Sequence, residues 1–109
     1  MHELVVVNRF RVDEAEVASF RVDVHAALAA LAARPGYVDG RIGRNVDEPE
    51  LWLLTTTWVN VGSYRRALSA FEVKMTAVPL LSRAVDEPSA YACDQPGAEL
   101  NEQVPRELR

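Results

Sequence analysis

"LVVVNRFRV", residues 4–12, alternates in the manner of a strand. Leu4, Val6, Asn8, Phe10 and Val12 fall on one face, and Val5, Val7, Arg9 and Arg11 on the other. Asn8 therefore sits with the more apolar set. A side-chain amide is costly to bury there unless something hydrogen-bonds to it. It could serve a turn, a backbone bond or a ligand, and the strand alone leaves these three open.

Working outward, "DEAE" at 13–16 resembles a capping box, with Asp13 placed to accept from first-turn amides and Glu16 three residues on. A helix is predicted from about Glu14 to Ala33, with Val17, Phe20, Val24, Ala27, Leu28 and Leu31 forming an apolar stripe. "RPG" at 34–36 stops it. Residues 37–44, "YVDGRIGR", read as a second strand that its two glycines weaken or bulge. After a turn at 46–50, "LWLLTTTW" at 51–58 is a third strand rich in β-formers, paired with the second as a hairpin. Asn60 caps a second helical region carrying Val61, Tyr64, Leu68 and Phe71. A continuation over about 72–83 should kink or restart near Pro79. "SAYAC" at 89–93 is a short last strand.

The order β-α-β-β-α-β defines an α+β, ferredoxin-like antiparallel sheet with helices on one face. Right-handed crossovers place the first and third strands in the middle. Val5, Val7 and one set of third-strand side chains are left on an uncovered face, which implies a homodimer packed sheet on sheet. Residues 1–93 are expected to form one domain, and the polar tail 94–109 to be loosely held or to lie on a partner subunit.

The 109 residues suit one domain, and 49% hydrophobic with 26% charged residues is an ordinary globular composition. With a net charge of −4 and its arginines (Arg9, Arg11, Arg41, Arg44, Arg65, Arg66) interspersed with acids, the chain lacks a nucleic-acid footprint. No segment approaches the ~18–20 apolar residues of a membrane span. One cysteine, Cys93, rules out an intrachain disulfide, and without a signal-like N-terminus a cytoplasmic location is expected. Nor does the sequence offer a phosphate loop, metal-spaced Cys or His pairs, or a glycine elbow around Ser63, Ser69 or Ser82. Cys93 reads as a small buried residue.

Taken together, "VVVNRFRV", "ARPGYVDGRIGR", "LWLLTTTW" running into "SYRRALSAF", and "AVPLLSRAVDEPSAYA" make a set that resembles the antibiotic biosynthesis monooxygenase domain over about residues 3–93. The resemblance implies a dimeric α+β barrel whose subunits each hold an apolar pocket between sheet and helices. Some members oxygenate polycyclic aromatic phenols without metal or flavin, and others bind and degrade haem. Asn8 matches a pocket-lining asparagine of the first strand in both branches. In cofactor-free oxygenation such an amide would steady the oxyanion of a phenolate or enolate substrate.

The haem branch also uses a helix histidine and a helix tryptophan after the third strand. Residues 61–81 contain neither; Ala67 and Thr76 stand roughly where they would fall, which argues against haem. His25, on the flank of the first helix's stripe, could be a pocket base but reads better as a solvated rim residue. Trp52 and Trp58 share a strand face, as core, interface or pocket wall. The expected function is a cofactor-independent monooxygenase acting on a flat aromatic phenol or quinone. Asn8 would be catalytic, and Phe10, Trp58, Tyr64, Phe71 and Met75 would bind the substrate, with no metal or cofactor. The alternative is a non-catalytic small-molecule-binding or stress-response module of the same fold, with Asn8 structural.

Overall fold

β1, Leu4–Arg11, is central to the sheet in a computed structural model that describes residues 3–100. The expectation for the tail beyond residue 100 lies outside the described residues. β1 is followed by α1 (Val17–Ala32), β2 (Tyr37–Arg44), β3 (Leu51–Trp58), α2 (Val61–Ser69), α3 (Phe71–Thr76), α4 (Val78–Leu81) and β4 (Ala90–Ala92). The four strands pair antiparallel in the order β2-β3-β1-β4. The fold is ferredoxin-like α+β, with β1 and β3 in the middle. No helix among the described residues is long and apolar enough to cross a membrane.

The register turns sequence alternation into two distinct faces. β1 meets β3 with Leu4 opposite Trp58, Val6 opposite Thr56, Asn8 opposite Leu54 and Phe10 opposite Trp52. Directly opposed residues share a face, so all eight point toward the helices. Leu4, Val6, Phe10, Trp52, Leu54 and Trp58 are buried there against Phe20, Val24, Ala27 and Leu31 of α1. Both tryptophans thus belong to the helix-covered core. Phe10, Phe20 and Trp52 meet tilted or edge-to-face in sequence at 5.2 and 5.4 Å between ring centroids, and Tyr37, Trp58 and Tyr64 do the same at the other end at 5.6 Å each. The opposite face carries Val5, Val7, Leu51, Leu53, Thr55 and Thr57, half-buried within the single chain and covered by no helix.

Two glycines allow close approach beneath the helices. A Cβ on Gly40 would come within 2.6 Å of Leu28 Cδ1, so its bare backbone admits α1 against β2. Gly36 has φ +89°, and a Cβ there would lie 2.3 Å from Ser63 Cβ. That contact sets the α1–β2 turn directly against α2.

The local details differ from the sequence reading in three places. α1 begins at Val17, because Glu14–Glu16 form a 3-10 turn in which the Asp13 carbonyl accepts from the Glu16 amide at 2.8 Å. The turn satisfies that amide from the backbone, and the Asp13 side chain makes no cap. The β2 irregularity falls at Val38, between Tyr37 and Asp39, rather than at a glycine. β4 spans three residues. Asn60 does cap α2, accepting from the Ser63 amide at 2.8 Å, and Pro79 does start a fresh helical turn, near the N-terminus of α4.

Candidate functional site

β1 is held by β3 on one side, and the chain between α4 and β4 runs along the other. The Val85 amide donates to the Arg9 carbonyl at 2.8 Å, and the Val7 amide to the Ser89 carbonyl at 2.7 Å. Between these two bonds, Asp86, Glu87 and Pro88 swing away from the strand. The separation opens a cleft of about 300 Å³ beside Asn8, lined also by Ser82, Val85, Asp86, Glu87 and Ser89. The Asn8 side chain is half-buried, and among the described residues it forms no hydrogen bond. Among the described residues its side chain ties to no loop or helix end, and it borders the cleft.

On either side of Asn8 along its own, helix-facing side of the sheet, the space is filled. Phe10 and Trp58 are fully enclosed, and the Trp58 indole N–H donates to Thr56 Oγ1 at 2.9 Å. Tyr64 packs on Trp58, and burial raises its phenol above the ordinary tyrosine value. Phe71 and Met75, by contrast, are 72% and 63% exposed. The six residues expected to form one site are therefore distributed over three environments. Asn8 borders the cleft; Phe10, Trp58 and Tyr64 belong to the core and its margin; Phe71 and Met75 lie on the outer side of α3. The separation arises at Ala70, whose extended backbone (ψ 141°) breaks the helix and resets its phase. Val73 and Ala77 then turn inward in place of Phe71 and Met75.

The cleft's composition is largely hydroxyl, carboxylate and amide. The carboxylate of Glu87 is engaged by Arg9, with Nε donating to Oε2 at 2.7 Å and Nη2 to Oε1 at 2.6 Å. This charge-assisted fork holds the Glu87 carboxyl below its usual range and raises the Arg9 guanidinium. Neither residue stands out in the sequence, because the two are far apart in the chain. Their only sequence-level signal is opposite charge at the two ends of the fold. His25 is exposed on α1 and is not part of the cleft, and Cys93 is half-buried beyond β4, its amide bonded to the Glu3 carbonyl at 2.8 Å.

The two helix positions that match the haem branch's histidine and tryptophan carry neither. Ala67 is buried in the core, and Thr76 borders a groove with Asp23 and Arg83. Neither side chain can supply an axial nitrogen or sulfur to iron, so these two positions do not fit the haem branch's ligand set.

An antiparallel β2-β3-β1-β4 sheet with helices over one face, and β1 and β3 in the middle, defines the class as a ferredoxin-like α+β domain. The family model for antibiotic biosynthesis monooxygenase matches residues 3–77, and the chain belongs to that family. SnoaB, a cofactor-independent oxygenase from Streptomyces nogalater, is 26% identical; the match covers 91% of this chain and 100% of that one, with a TM-score of 0.74. A conserved protein from Methanosarcina mazei Go1 is 21% identical over 86% of this chain and 95% of its own, with a TM-score of 0.72. A conserved protein from Bacteroides thetaiotaomicron shares the fold at 10% identity, covering 84% of this chain and 98% of its own at a TM-score of 0.73. None of the curated proteins matches the chain.

Proposed function

We propose that the protein is a cofactor-independent monooxygenase acting on a flat aromatic phenol, of the anthrone or hydroquinone type, with Asn8 as its catalytic residue. The carrying observation is the free amide of Asn8, mounted on the central strand at a cleft, in a chain of the monooxygenase family. The likeness to SnoaB supports the same reading. In this reaction the substrate loses its acidic proton to solvent and becomes an electron-rich anion. The anion passes one electron to dioxygen, the radical pair recombines to a peroxide, and loss of water leaves the quinone. One oxygen atom enters the product and the other leaves as water. The Asn8 N–H₂ would donate to the substrate oxyanion, fixed by a strand that needs no rearrangement to present it. Trp58 and Phe10 act beside it on the same face, as the rigid core on which that strand rests, with Tyr64 at its margin; Phe71 and Met75 would touch a ligand only from the outer side of α3.

The active form is proposed to be a cytoplasmic homodimer in which a second copy covers Val5, Val7, Leu51 and Leu53, with residues 3–93 as the folded domain. The apolar character of that helix-free face supports this. The test is dioxygen uptake with a panel of anthrones and hydroquinones, beside Asn8→Ala. Uptake should require the protein and fall at least about tenfold in the variant, a modest value for a lost oxyanion donor. Uptake equal in both proteins would remove Asn8 from the chemistry.

The polar lining of the cleft favours a second reading, a non-catalytic module that binds a small polar molecule. A folded protein with no uptake above the uncatalysed rate, but with a ligand-induced rise in Tm, would select it.

A further inference from the structure

Arg9 and Asn8 are neighbours on β1 and so point to opposite faces of the sheet. Glu87 belongs to both surroundings. It lines the cleft on the Asn8 side, and its carboxylate reaches past the edge of β1 to the Arg9 guanidinium. The ion pair thus clips the outer wall of the cleft onto the back of the strand that carries Asn8.

The wall has few other ties. Backbone bonds fix it at Val85 and Ser89. Among the described residues no backbone bond joins Asp86, Glu87 or Pro88 to β1, and Pro88 has no amide hydrogen to give. One exposed contact, from the Tyr91 hydroxyl to the Pro88 carbonyl at 3.3 Å, is the remaining hydrogen bond to this stretch. An isolated surface ion pair contributes little as a rule, but a bidentate arginine–carboxylate fork is the geometry in which such a pair does hold position. Here both side chains are partly withdrawn from water, at 40% and 30% exposure.

We propose that Arg9 and Glu87 are positioning residues: together they latch residues 86–88 and set how far the cleft at Asn8 opens. Opening the latch frees the wall while the two flanking backbone bonds serve as its hinges. Its catalytic importance rests on the Asn8 reading above, but the opening itself can be measured without any substrate.

The experiment places a thiol at the cleft, Asn8→Cys with Cys93→Ala, and follows its labelling by N-ethylmaleimide with and without Glu87→Gln. The glutamine should raise the labelling rate at least about tenfold, because labelling reports the open population. Arg9→Lys, which keeps the charge but loses the fork, should fall between. Amide hydrogen exchange on the same proteins guards against general unfolding. Val85 and Val7, the hinge amides, and the β1–β3 amides should all keep their protection in Glu87→Gln. Labelling within about twofold of the parent overturns the latch, and so does a loss of protection spread evenly over β1 and β3. If labelling responds as expected but Asn8→Ala leaves oxygen uptake unchanged, the latch stands and the catalytic assignment falls.

Discussion

Replacing Gly36 with alanine tests how the α1–β2 turn is joined to α2. Two penalties act at this position. The backbone has φ +89°, a region in which an L-residue costs roughly 1–2 kcal/mol. The new Cβ would also stand 2.3 Å from Ser63 Cβ and 2.4 Å from Ser63 Oγ, so turn and helix must separate. Overpacking of this kind costs about 1–3 kcal/mol. The sum, roughly 2–5 kcal/mol, is a large part of the ~5–15 kcal/mol that holds a domain together. In a chain of this size it should lower Tm by about 10 °C or more. Urea and thermal unfolding of Gly36→Ala, Ser63→Gly and the double variant separate the two penalties. Ser63→Gly leaves the backbone amide that Asn60 caps, and its own helix cost of ~1 kcal/mol cancels in the cycle. The coupling should be favourable by about 1–3 kcal/mol, the steric share, with the backbone share remaining. A Gly36→Ala protein within about 0.5 kcal/mol of the parent, or a penalty unchanged by Ser63→Gly, would refute the reasoning.

Three further outcomes follow from the same structure. Thr56→Val removes the acceptor of the buried Trp58 indole N–H and should destabilise the fold by about 1–3 kcal/mol, read by urea unfolding together with a change in tryptophan near-UV circular dichroism. Leu53→Glu places a carboxylate on the helix-free face, and sedimentation should then find a monomer where the parent sediments as the proposed dimer; a parent that is itself monomeric at micromolar concentration would end the dimer proposal. Arg9 lowers the Glu87 carboxyl in the fold, so the native state holds fewer protons there than the unfolded chain. Its stabilisation is present above the unfolded carboxylate pKa and fades as pH falls through the folded value. The difference in Tm between parent and Glu87→Gln should accordingly shrink from neutral pH toward pH ~3; a gap that is constant over that range would show the pair to be energetically silent.

Much of the fold was legible because it is written in short-range periodicity. The two-residue alternation of residues 4–12 and 51–58 placed Asn8 with Leu4, Val6 and Phe10, and the register bears this out. Asn60 announced its helix through a polar side chain that can reach an amide three residues on. Periodicity fails where a helix restarts. The sequence at Ser69–Ala70 contains neither glycine nor proline, so nothing local warned that the phase would reset and turn Phe71 and Met75 outward. The capping box failed for a related reason, because a 3-10 turn satisfied the amide before the Asp13 side chain was needed. The cleft itself was illegible. It exists because residues 86–88 part from β1, and the pair that bounds it joins residues far apart in the chain.

The sheet's order also sets the loop-closure cost of each strand pairing. β2 and β3 are chain neighbours joined by a short turn, so their hairpin closes a small loop and can form early. The pairing of β1 with β3 brings Leu4 to Trp58 across about half the chain, with α1 and the hairpin already in between. β4 has no central partner until β1 is seated, since its three residues pair only there. Asn8 and the wall opposite it are therefore expected to meet late in folding, and a chain stalled before that step would have helices and a hairpin but no cleft.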